Sequence, residues 1–121
     1  MTENKTILIC DDDEGILELV SIILEGSGFQ TVCVQNSLEI FKKISEKDPD
    51  LIFLDLWMPQ LSGDQVLKTI REDESFSGLP VIVMSASRDG AAIAHQAGAN
   101  DFLAKPFDID ELVDKARALM R

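Results

Sequence analysis

Tyrosine is absent from this 121-residue chain, tryptophan and histidine occur once each, and cysteine occurs twice. Two cysteines make no disulfide framework, and Cys10 and Cys33 have neither CxxC spacing nor neighbouring histidines with which to bind zinc. Both lie in apolar runs and are expected as reduced, buried thiols. Basic residues are scarce: 11 Lys and Arg stand against 22 Asp and Glu, a net charge of −11. Such a surface repels a nucleic-acid backbone or an anionic membrane, and no Lys/Arg cluster offsets it, so neither is an expected direct partner. No apolar run approaches the ~18 residues of a membrane span. The first run, Ile7 to Cys10, stops at Asp11, too short for the core of a signal peptide. A soluble, cytoplasmic location is the expectation.

Alternation is what the chain does have. Its length and its 45% hydrophobic content suit one domain, residues 1–121, able to bury about two-thirds of its unfolded surface without staples. Short β-rich runs occur at Thr6 to Cys10, Phe29 to Val34, Leu51 to Leu54, Pro80 to Met84 and Asp101 to Ala104. Ile7-Leu8-Ile9 and Val81-Ile82-Val83 show no polar alternation, which predicts strands buried on both faces of a parallel sheet. Between the runs the spacing is helical. Ile16, Leu19, Val20, Ile23 and Leu24 mark a first inward stripe, Ile40, Phe41 and Ile44 a second, Val66, Leu67 and Ile70 a third, and Ile109, Leu112, Val113, Ala116 and Met120 the last. Asn36 with Glu39, Ser62 with Gln65, and Asp108 with Glu111 read as capping boxes. The fourth helix, about Asp89 to Ala97, is alanine-rich and short, with Gly98 as its stop. Five βα units in one small domain predict a doubly wound α/β sheet, whose ligands bind beyond the carboxyl ends of the strands.

Those ends carry the chemistry. Asp11, Asp12 and Asp13 close the first strand, Asp55 the third, Ser85 the fourth and Lys105 the fifth. Carboxylates brought together repel one another unless a cation joins them, and a hard divalent ion with oxygen ligands, Mg²⁺, removes the conflict. Three acids, one lysine and a divalent ion sum to zero charge. That balance suits phosphoryl transfer, which depends on positioning and charge neutralisation.

The sequence resembles the receiver domains of two-component response regulators along essentially its whole length. The resemblance rests on Ile7-Leu8-Ile9-Cys10-Asp11-Asp12-Asp13-Glu14, on Leu51 through Gly63 with Asp55 and Met58-Pro59, on Val81-Ile82-Val83-Met84-Ser85-Ala86, and on Phe102-Leu103-Ala104-Lys105-Pro106-Phe107. It implies a flavodoxin-like (βα)₅ fold with strand order 2-1-3-4-5. It also implies that Asp55 takes a phosphoryl group from a phosphohistidine on a sensor histidine kinase or a histidine phosphotransfer protein. Asp12 and Asp55 would bind Mg²⁺ directly, with Mn²⁺ an acceptable substitute, Asp11 mainly through water, and Trp57 through its main-chain carbonyl. Ser85 and Lys105 would contact the phosphoryl oxygens, and the Lys105–Pro106 peptide would be cis. Ser85 and Phe102 would form the switch, altering the surface of helix four, strand five and helix five for a downstream protein or a second copy of the domain. Such a domain catalyses its own phosphorylation and dephosphorylation without being a turnover enzyme.

Other readings of these residues stay open at this stage. A haloacid-dehalogenase-type phosphohydrolase would use Asp11 and Asp13, although Gly15 stands where such enzymes want threonine. A receiver-like binding module would work without phosphorylation. A flavin protein is disfavoured, because the three aspartates would repel the flavin phosphate. Asp13 and Glu14 read as turn formers or helix caps, and His95 as filler on the fourth helix. Trp57 is expected to lend only its backbone to the ion, leaving its indole to overhang the pocket.

Overall fold

The uninterrupted apolar runs form the middle of a parallel sheet in a computed structural model that describes residues 5–120. Strands β1 (Thr6–Cys10), β2 (Gln30–Val34), β3 (Leu51–Asp55), β4 (Val81–Ser85) and β5 (Asp101–Ala104) pair in the order β2-β1-β3-β4-β5. This is the doubly wound, flavodoxin-like arrangement expected from the sequence. Helices α1 (Glu14–Gly26) and α5 (Ile109–Leu119) share one hydrophobic cluster, and α2 (Ile40–Lys47), α3 (Gly63–Glu72) and α4 (Gly90–Ala97) share the other. Successive residues of a central strand therefore serve different cores: Leu51 and Phe53 pack beneath α1 and α5, Ile52 and Leu54 beneath α2 to α4. Burial of every residue in β3 and β4 is why neither shows alternation.

Caps fix where the helices begin. Asp13 accepts from the backbone N–H groups of Gly15 and Ile16, so it is a helix cap. The Gln65 side chain accepts from Ser62 N–H at 3.1 Å, the returning half of the predicted capping box. Asp108 accepts from Asp110 N–H at 3.1 Å. Gly98 ends α4 with φ of +101°, a conformation that favours glycine.

Four expectations need correction. Asn36 does not start α2; its side chain accepts from Leu38 N–H at 3.0 Å and closes a single 3₁₀ turn, Ser37–Glu39, before α2 begins at Ile40. A short amide bonding two residues ahead favours that tighter turn. Cys33 is exposed rather than buried, because β2 is an edge strand with only Val34 fully covered. Leu19 faces solvent and Leu17 takes its place in the core, while Ile109 is exposed at the first turn of α5. At both positions the apolar spacing is helical, but the rotation of the helix on the sheet leaves the residue beyond the rim of the core. His95 is exposed, as a surface residue of α4. Among the described residues no helix is long and apolar enough to cross a membrane.

Candidate functional site

The parallel sheet delivers its strand ends to one edge. Asp11 follows β1 directly and its N–H extends the ladder to the Val34 carbonyl at 3.2 Å. Asp55 is the last residue of β3, in register with Met84 of β4. Lys105 follows β5, and its N–H bonds the Ser85 carbonyl at 2.9 Å. The ladder thus places the side chains, and Lys105 links them: its ammonium donates to Asp11 Oδ2 at 2.7 Å and to Asp55 Oδ1 at 3.0 Å. Asp11 is fully buried, with its other oxygen accepting from Asp13 N–H at 2.9 Å. Asp12 is exposed. Carboxylate oxygens of Asp11, Asp12 and Asp55 all lie within 4.8 Å of one another. The predicted acids and the lysine therefore share one cup, and the Lys105–Pro106 peptide is cis.

Local packing holds Asp55 still. Leu56 N–H reaches the Met84 carbonyl at 3.0 Å, and Gly63 N–H bonds the Leu56 carbonyl at 2.7 Å, closing the loop that carries Trp57. Any side chain at position 63 would overlap the Asp55 carbonyl oxygen, so glycine is required for this close approach. Trp57 is 53% exposed. Met58 turns inward, its sulfur 3.7 Å from the Cys10 thiol.

The Ser85 hydroxyl makes no hydrogen bond to the acids or to Lys105 among the described residues. The Ser85 hydroxyl pairs with the Ser87 hydroxyl at 3.0 Å and accepts from Ser87 N–H at 3.0 Å. A methyl placed on Gly90 would lie 3.0 Å from Ser85 Cβ and 3.1 Å from the Phe102 ring, so all three residues meet at the start of α4. Sequence reasoning missed Ser87, and it missed Gln35, whose amide donates to the Asp12 carbonyl at 3.2 Å. Neither carries a signal beyond being a polar loop residue.

Charge is unbalanced in the cup. Burial pushes the Asp55 carboxyl up to about 6; the Lys105 hydrogen bond pulls it back, and the charges of Asp11 and Asp12 push it further up. Burial alone would lower Lys105, but its bonds to Asp11 and Asp55 outweigh that and raise it above an ordinary lysine. One ammonium gains from two carboxylates, Asp11 and Asp55, while Asp55 also feels the negative charges of Asp11 and Asp12. An all-oxygen donor set short of positive charge fits a hard divalent cation. Cys10 offers no rival soft ligand, because burial and then Asp11, Asp55 and Asp12 push its thiol up to about 12.

Residues 7–117 match the family model of the response regulator receiver domain. The chain belongs to that family. This receiver domain is 34% identical over 122 residues to the DNA-binding response regulator MtrA of Mycobacterium tuberculosis, a match that takes in 99% of the chain and 52% of that relative. It thus spans about half the length of the curated relatives it matches. A receiver domain of a Francisella response regulator superposes with a TM-score of 0.87 at 32% identity, over 97% of each chain. A protein of Chloroflexus aurantiacus described as a response regulator superposes with a TM-score of 0.93 at 28% identity, over 98% of each chain.

Proposed function

We propose that Asp55 accepts a phosphoryl group from a phosphohistidine on a sensor histidine kinase or a histidine phosphotransfer protein. The observation that supports it is the state of the Asp55 carboxylate: buried, tied through Oδ1 to Lys105, and with no donor to Oδ2 among the described residues. At neutral pH a group with a pKa of about 6 is ionised, so Oδ2 is a nucleophile. Its attack on phosphorus breaks the bond to the imidazole nitrogen, which keeps the electron pair. Lys105 is placed to move from Asp55 Oδ1 to an arriving phosphoryl oxygen. Ser85, released from Ser87, donates to another. Asp11, Asp12, Asp55 and the Trp57 carbonyl would hold Mg²⁺, or Mn²⁺ in its place. The ion would supply the positive charge that lets a phosphate enter an acidic cup.

The transfer is stoichiometric rather than a turnover reaction. Its readout is the α4, β5 and α5 surface: withdrawal of the Ser85 hydroxyl loosens the contact among Ser85, Gly90 and Phe102, and a reoriented Phe102 changes what a downstream protein or a second copy meets. A net charge of −11 suits protein partners in a cytoplasmic, membrane-free setting and disfavours DNA contact by this domain itself. The role of Asp13 as a cap speaks against the hydrolase reading, which needs it free. Incubation with acetyl phosphate should add one phosphoryl group by intact mass only when Mg²⁺ is present, and none to Asp55→Asn. Uptake that is indifferent to Mg²⁺, or no uptake at all, would contradict the proposal.

A further inference from the structure

Between Leu56 and Ser62 the loop that follows Asp55 depends on few tethers. Pro59 has no N–H, and Met58 is held through its side chain. The backbone tether comes from a distant segment: Leu61 N–H donates to the Ser37 hydroxyl at 2.9 Å, across 24 residues of chain. Ser37 opens the 3₁₀ turn and is 1% exposed, one of four buried polar residues among the described residues; the other three are Asp11, Asp55 and Ser85 of the site edge. A buried hydroxyl given to a loop amide is costly to leave unmade and rigid once made. We infer that Ser37 is a positioning residue, a latch that fixes the Trp57 loop and so sets the affinity of the acidic cup for a divalent cation.

This inference rests on the proposed metal site and deepens it, because it gives the buried hydroxyl of the β2–α2 connection a part in ion binding. Without the latch the 56–62 loop keeps its two ends, at Leu56 and Gly63, and gains freedom between them. An ion that draws on this loop must then order it on binding, which lowers affinity without altering any ligand.

The test is NMR on the full chain, titrated with MgCl₂ alone. In Ser37→Ala the Leu61 amide should exchange faster in metal-free protein. The Mg²⁺ dissociation constant, read from the amides of Asp11 to Asp13 and Asp55 to Trp57, should rise about three- to tenfold, the range expected for one such bond. Ser37→Thr, which keeps the hydroxyl, should restore both. Ile40→Val removes a methylene from the same core and serves as the control for general loosening; it should leave the Mg²⁺ constant unchanged. An unchanged constant in Ser37→Ala, or an equal rise in Ile40→Val, overturns the latch while leaving the metal site in place. Absence of any Mg²⁺-dependent shift in the unaltered protein overturns both.

Discussion

Lys105 donates to Asp55 at 3.0 Å across 50 residues of sequence, and it gives the same ammonium to Asp11 at 2.7 Å. One cation serving several acids makes the cup electrostatically incomplete, and its consequences are measurable before any phosphate arrives.

The first is a pH dependence of metal-free stability. In the unfolded chain Asp55 titrates near 3.8, in the folded one near 6. Between those values the folded protein holds a proton that the unfolded chain has released, so stability falls as pH rises from about 4 to 6 and is level above. The ceiling on this loss is about 3 kcal/mol. Urea unfolding in EDTA should show the slope, and Asp55→Asn should remove it and be the more stable protein at pH 7. A metal-free protein that gains stability through this window would contradict the electrostatic picture.

Removal of the ammonium sharpens the conflict. Lys105→Met leaves buried carboxylates unpaired and should lower metal-free stability at pH 7 by at least about 2 kcal/mol. Mg²⁺ should recover part of that loss, since it would then be the sole cation among the acids. Calorimetric unfolding with and without MgCl₂ checks both statements, and a loss that Mg²⁺ leaves untouched would count against a shared cup.

Gly90→Ala tests the contact at the start of α4. Helix propensity alone favours alanine by up to about 1 kcal/mol. The new methyl must nevertheless meet Ser85 and the Phe102 ring within 3.1 Å. We expect no gain in stability and shifted Phe102 ring resonances; a more stable variant with an unmoved ring would show that the three residues are not coupled.

Trp57 is the sole tryptophan, with no tyrosine to mask it. Its emission should change on addition of MgCl₂. If its indole screens the cup from water, Trp57→Ala should shorten the lifetime of the phosphorylated form by several-fold. An unchanged lifetime would leave the side chain without a role in the site.

The site was legible because a doubly wound sheet sends every strand's carboxyl end to one edge, so Asp11, Asp55 and Lys105 could be placed together from strand boundaries alone. Ser85 was placed correctly in the chain, but its hydroxyl pairing with Ser87 is a loop detail that no periodicity encodes. Ser37 was invisible for a different reason: its partner lies 24 residues away, and a serine beside a helix start reads as an ordinary turn residue. Apolar spacing marks a face without saying how far the covering layer extends, which is why Cys33, Leu19 and Ile109 read as core residues in the sequence and are exposed in the fold. At the edge strand β2 and at the rims of α1 and α5 that layer runs out.

The central claim is that Asp55, and no other acid of the cup, becomes the acyl phosphate. Borohydride reduction of the protein after treatment with acetyl phosphate and Mg²⁺ converts a phosphorylated aspartate to homoserine, which peptide mass spectrometry locates. Homoserine at position 55 alone is the predicted result; homoserine at position 11 or 12, or none at position 55, would contradict the account.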